Sequence, residues 1–269
     1  KGKLIKFNLK SGFSIRLTPD HKLLDGNSLE WKESQNFSIN NKIVAPLKLP
    51  ENNKEIYLLD ILPDDWKVIL DKNEKEKIKS YIKRYFKNIS EFNAKFNLDK
   101  NYLSGGKQLS IKIFKEILNY FNEYNKWKII PLKFCRNHSG EKLKIAKITP
   151  ELGYVLGFLY GDGNIKINNR RTHISLIQSL KHKKYIDQFN KCWNSISNRN
   201  INNFDKEFNS VIRGKKVTSF CKYMYFGSNL LGEIYRIFIG NNLSNILNLD
   251  DKTLNAFIAG VMDSDGCIS

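Results

Sequence analysis

The amino-acid sequence predicts an α+β protein: a partial all-β unit, a small helical insert, and a series of helices and hairpins in the order αββαββα. Three observations carry this. An apolar pattern closed by an acid and a glycine occurs twice, at Val155–Gly163 and Ile258–Gly266, 103 residues apart. Between the copies the hydrophobic period switches from helical to alternating and back, twice. Residues 1–50 alternate in short runs separated by turn residues, as strands do.

Taken in order, Lys3-Leu4-Ile5-Lys6-Phe7 reads as a strand. A Ser11-Gly12 turn follows, then the alternating Phe13–Leu17, the segment Thr18-Pro19-Asp20-His21, and a later strand at Lys42–Pro46. Residues 51–145 are rich in Lys and Asn. Glu74–Lys87 places Ile78, Tyr81, Ile82 and Tyr85 on one helical face. Ser90–Asn97, Asp99–Leu103 and Ser110–Asn122 continue as short helices with tight turns. They read either as a helix-turn-helix module for DNA or as a plain helical spacer.

Past residue 146 comes the first motif helix. Two strands around Ile165, Ile167, Ile174 and Leu176 enclose a hairpin at Asn168-Asn169-Arg170-Arg171. A helix over Lys183–Ser197 comes next. Val211-Ile212 and Val217–Phe226 flank a second hairpin at Arg213-Gly214-Lys215-Lys216, and Leu230–Ile239 is helical again. The expected divisions are 1–50, 51–145, 146–250 and 251–269, the last being the start of a second, truncated subdomain.

Small residues recur every fourth position ahead of each acid: Gly153, Gly157 and Gly161, then Ala256, Gly260 and Ser264. Positions four apart share a helical face, so each copy offers a smooth stripe where another backbone can approach. Packed side by side, two such helices would bring Asp162 and Asp265 together as a paired-carboxylate site.

Composition narrows the function. With 41% hydrophobic residues the chain can bury a core, and no apolar run is long enough to span a membrane. The net charge of +18 implies an anionic partner. Residues 164–249 hold 14 Lys and Arg against 4 Asp and Glu. With Trp193, Phe220, Tyr223 and Tyr225 among them, they suit a nucleic-acid surface. The basic residues fall on strand-like segments, which disfavours a membrane surface. Cys135, Cys192, Cys221 and Cys267 form no CxxC pair, so a reducing, cytoplasmic setting is expected. Cys135 and His138 lack a second ligand pair, so zinc is not. Lys1 at the start, and Ser269 three residues after the second Asp-Gly, suggest an excerpt from a longer protein.

On these motifs the chain resembles the LAGLIDADG homing endonucleases. Gly157, Asp162 and Gly163 match the nonapeptide in the first copy; Ala259, Gly260, Asp263, Asp265 and Gly266 match in the second. The resemblance implies that the motif helices form the interface between halves, whose four-stranded sheets straddle double-stranded DNA. It implies divalent cations, for which Mg²⁺ suits oxygen ligands. Asp162 and Asp265 would be the catalytic metal ligands, helped by the carbonyls of Gly161 and Ser264. Lys166, Arg170, Arg171, Arg213, Lys215 and Lys216 are candidate DNA contacts. A lysine that such enzymes often carry ahead of the second motif is absent from Gly240-Asn241-Asn242-Leu243-Ser244.

A second resemblance lies in Gly12-x-x-Ile15-x-x-Thr18-x-x-His21, which is similar to the N-terminal splicing block of inteins, the Hint fold shared with Hedgehog autoprocessing domains. Trp31 and Ile43-Val44-Ala45-Pro46 fall where that family continues. A hydroxyl and an imidazole three residues apart on a tight turn can both reach one peptide group, polarising it and protonating its nitrogen. Thr18 and His21 are thus the splicing candidates, acting on flanking host segments (exteins). No N-terminal Cys or Ser nucleophile and no terminal His-Asn lies within the chain. The expected protein is a monomeric intein fragment with a DNA endonuclease. The alternative is a non-catalytic DNA-binding protein on the same scaffold, a transcription regulator or a lapsed endonuclease.

Overall fold

A computed structural model of the chain describes residues 3–10, 12, 14–44, 53–99, 108–136, 140–168, 171–212, 215–240 and 243–264. The architecture is mixed, with antiparallel sheets throughout. It divides into two compact units, Lys1–Pro50 and Glu51–Ser269.

In the first unit β1 (Ile5–Asn8) pairs with β2 (Ser14–Leu17), and β3 (Lys22–Leu24) pairs with β4 (Trp31–Glu33). Gly12 sits at φ +88°, a conformation that L side chains rarely adopt, and its N–H closes a 3.0 Å bond to the Leu9 carbonyl. The strand expected near residue 43 is a single bridge, Ile43 to Asp25. Ala45 and Pro46 lie outside the described residues.

The second unit opens with α1 (Leu58–Ile61), β5 (Lys67–Ile69), α2 (Lys72–Tyr85), α3 (Ile89–Lys95), β6 (Leu109–Ser110), α4 (Ile111–Tyr120), α5 (Tyr124–Trp127), β7 (Lys133–Cys135) and β8 (Glu141–Lys142). Helix α2 starts two residues earlier than its apolar stripe suggests. Asp71 and Glu74 form a reciprocal capping box that satisfies its first N–H groups. The insert is not purely helical as expected: β6-β5-β7-β8 form a small sheet. Strands of two or three residues are too short to show a period of two. The segment expected to be helical at Asp99–Leu103 falls outside the described residues beyond Asp99.

The buried Glu141 fastens the insert to the start of a later helix. Its carboxylate accepts bonds from the Ser228 hydroxyl at 2.7 Å and from the N–H groups of Asn229 at 2.7 Å and Leu230 at 3.3 Å. These are the orphan donors of that helix's first turn, where a negative charge is favoured.

Then come α6 (Pro150–Asp162), β9 (Gly163–Ile167), β10 (Thr172–Ser179), α7 (Lys183–Ile196), β11 (Asn202–Ile212), β12 (Lys215–Gly227), α8 (Asn229–Phe238) and α9 (Asp251–Ser264). The order is the expected αββαββα, with a sheet ordered β11-β12-β10-β9. Ile174, Leu176, Met224 and Phe226 turn inward to meet Phe158, Phe189 and Trp193. Each such side chain, fully buried, contributes about 1.5–3 kcal/mol. Strand β11 runs much further back than Val211-Ile212: from Asn202 to Asn209 only Phe204 and Phe208 are apolar, and neither is buried. Pairing to β12 shapes it, not a buried face. Among the described residues no helix is long and apolar enough to cross a membrane.

Candidate functional site

Thr149 caps α6 through its hydroxyl, with Pro150 in the first turn. Asp250 holds the start of α9 through the N–H and hydroxyl of Thr253. The two helices pack in parallel, small residue against backbone. A Cβ on Gly153 would stand 2.6 Å from the Thr253 carbonyl oxygen. A Cβ on Gly157 would collide with the Phe257 carbonyl, and one on Gly260 with the Tyr154 carbonyl and, at 2.7 Å, the Phe158 nitrogen. Only hydrogen fits at these three positions.

Parallel packing places both helix C-termini at one end. Asp162 closes α6 and Ser264 closes α9. The amide nitrogen of Gln178, a buried residue of β10, reaches both: it donates to the Asp162 carboxylate and lies 3.5 Å from the Ser264 carbonyl oxygen. The Tyr154 hydroxyl donates to Asp263 at 2.8 Å, and burial, then this bond, pushes its phenol well above the ordinary tyrosine range. Two helix C-termini, each carrying the negative end of its dipole, thus converge beside a carboxylate, an environment that favours a cation. Asp265 lies outside the described residues. Among those described, no three His, Cys, Asp or Glu side chains gather. A metal here would rely on Asp162, on Asp265 and on terminal carbonyls such as Ser264 and Gly161, the latter in the last turn of α6, where carbonyls have no helical partner.

The candidate DNA contacts separate. Lys166 and the exposed Arg171 line a trough of about 680 Å³ on the outer face of the sheet, with His173, Arg199, Tyr223 and Tyr225. Arg199, whose guanidinium donates to the Gly227 carbonyl at 2.7 Å, is held 3.6 Å from Glu141. Lys216 is exposed far along the β11–β12 hairpin, and strand alternation puts it on the opposite face from Tyr223. Lys215 begins β12. Arg170 and Arg213 lie outside the described residues.

In the first unit, Thr18–His21 forms the tight turn expected: the His21 N–H bonds the Thr18 carbonyl at 3.1 Å. The Ser34 hydroxyl donates to the carbonyls of Thr18 at 2.7 Å and Pro19 at 3.1 Å, pinning the turn to the chain beyond β4. A bond from the Thr18 side chain is the main reason the Asp20 carboxyl sits below its ordinary range. Thr18 and His21 are both exposed.

Sequence reasoning missed Gln178, Tyr154 and Arg199. Only Gln178 left a signal: it continues the inward positions Ile174 and Leu176, where a polar side chain is out of place. Cys135 and Cys192 are buried thiols with pKa values raised mainly by desolvation, and His138 lies outside the described residues.

No protein-family model matches the chain. It is similar to a reverse gyrase of Methanocaldococcus jannaschii, 24% identical over 275 aligned residues. The match covers the whole of this chain and 15% of that protein, so the chain spans under a sixth of its relative's length.

Proposed function

We propose that the chain carries the core of a LAGLIDADG-type, site-specific double-strand DNA endonuclease held within an intein. The observation that carries this reading is the α6–α9 seam, where three glycines admit backbone contact and one buried glutamine spans both helix ends. The αββαββα order and the basic trough on the sheet support it. That the whole chain aligns to 15% of a reverse gyrase supports an element contained in a longer protein.

Mg²⁺ fits the donor set, since carboxylate and carbonyl oxygens are hard ligands. Asp162, Asp265 and the carbonyls of Ser264 and Gly161 would hold it. When bound, it would supply water activation and charge neutralisation at the leaving oxygen. Gln178 fixes the Asp162 carboxylate in one orientation. Lys166, Arg171 and Arg199 bind phosphates beside the sheet, which orients the duplex toward the helix ends.

The test is selection by cleavage: the intact protein with Mg²⁺ and a randomised duplex library, with the cut ends sequenced. One recurring target is expected, with cutting lost and binding kept in Asp162→Asn. Cutting by that variant would remove the assignment. A second reading, DNA binding without cutting, is favoured by the absence of lysine from Gly240–Ser244, and would appear as enrichment by binding alone. For the splicing half, which rests on the Thr18–His21 turn, His21→Ala in a precursor with flanking segments should stall cleavage at the upstream junction. Wild-type ligation would remove the intein part and leave the endonuclease part standing.

A further inference from the structure

The outward side chains of the β11-β12-β10-β9 sheet fall into rows set by the pairing. Ile177 stands opposite Tyr223, and Tyr223 opposite Phe204. One step along, Asn164, Ser175, Tyr225 and Asn202 form the next row; a further step gives Lys166 opposite His173. The first row is apolar and open to solvent: Ile177 is 42% exposed and Phe204 48%. Its rings are in contact, Phe204 to Tyr223 at 5.1 Å between centroids and Tyr223 to Tyr225 at 5.9 Å. Single exposed apolar residues are ordinary. A row of three across three strands, grading into polar and then basic rows on one face, is a patterned surface. The lysine and arginines of the trough identify its occupant as a polyanion.

Resting on the reading of this face as DNA-binding, we propose that the row Ile177–Tyr223–Phe204 reads thymine methyl groups in the major groove. The groove offers an apolar side chain a single distinguishing feature, the 5-methyl of thymine; its other markers are hydrogen-bond donors and acceptors. Ile177 adjoins Gln178, so this row addresses the base pairs nearest the Asp162 end. The Lys166–His173 row lies four residues further along β10, about 14 Å or roughly four base pairs away. Specificity is therefore divided along each half-site: methyl contacts near the cut, polar and charged contacts further out.

The experiment uses the intact protein without divalent metal. Duplexes selected from a random library are resynthesised with uracil replacing thymine at one position at a time. Two or three neighbouring thymines are expected to be sensitive, each losing about fourfold in affinity, the equivalent of ~0.8 kcal/mol for one buried methyl group. The double variant Ile177→Ser, Phe204→Ser should bind thymine and uracil duplexes equally at those positions. Selected duplexes indifferent to uracil, or a sensitivity that survives the double variant, would overturn the proposal while leaving DNA recognition intact. A library from which nothing is enriched would overturn the DNA reading itself, and this inference with it.

Discussion

The two motif helices are close in sequence pattern and unlike in cover. Helix α6 is buried along its whole middle, every residue from Leu152 to Leu159, because the sheet and α7 surround the side that α9 leaves open. Helix α9 buries Thr253, Leu254, Phe257 and Gly260 and turns Ile258 (43% exposed) and Met262 to solvent. One pattern therefore serves two environments. What both environments share is the stripe of small residues and the acid after it. The small residues are fixed by the partner backbone, and the large apolar residues between them by whatever covers the helix.

The comparison can be broken or sharpened in four steps. The largest effect is expected at the ends. Asp162→Asn and Asp265→Asn should each reduce cutting by about a thousandfold or more, since misplacing a cation forfeits several kcal/mol of barrier lowering. Unequal losses, read in single-turnover cleavage, would mean that the two helices differ in chemistry as well as in cover. Next, Gly157→Val should cost about 3 kcal/mol or more in urea unfolding, because the clash is with backbone and only separation of the helices relieves it. A stable Gly157→Val protein would mean the seam is looser than described. Tyr154→Phe, which strands the Asp263 acceptor across the seam, should cost about 1 kcal/mol. Smallest of all, Ile258→Ser on the open side of α9 should stay within about 0.5 kcal/mol. A larger loss would show that this side is covered in solution.

How much of this was legible in the sequence depends on the length of each pattern. Between the motifs, helices α7 and α8 and strand β10 show their periods over eight or more residues, and the stripe residues Gly153, Gly157 and Gly260 mark the seam because only close backbones need them. Strands β5 to β8 are invisible at two or three residues each. Strand β11 offers only Phe204 and Phe208 on one face between Asn202 and Asn209, too sparse an alternation to announce it. At the candidate site, Asp162 and Ser264, which the structure brings within reach of one glutamine, can be read from the repeat. Gln178 cannot, since its role arises from a sheet that carries it to the helix ends. Lys216 shows the converse limit: a basic residue in a hairpin reads the same on either face of a ribbon.

The seam also has a kinetic consequence. Gly153 meets Thr253 and Gly157 meets Phe257, contacts that close a loop of about a hundred residues. Such contacts are rewarded only after the intervening chain has been ordered, so they come late in folding. The carboxylate end of α6 is therefore completed last, when the sheet that would hold DNA is already formed. Under the proposed function, a newly made chain grips a duplex before it can cut one.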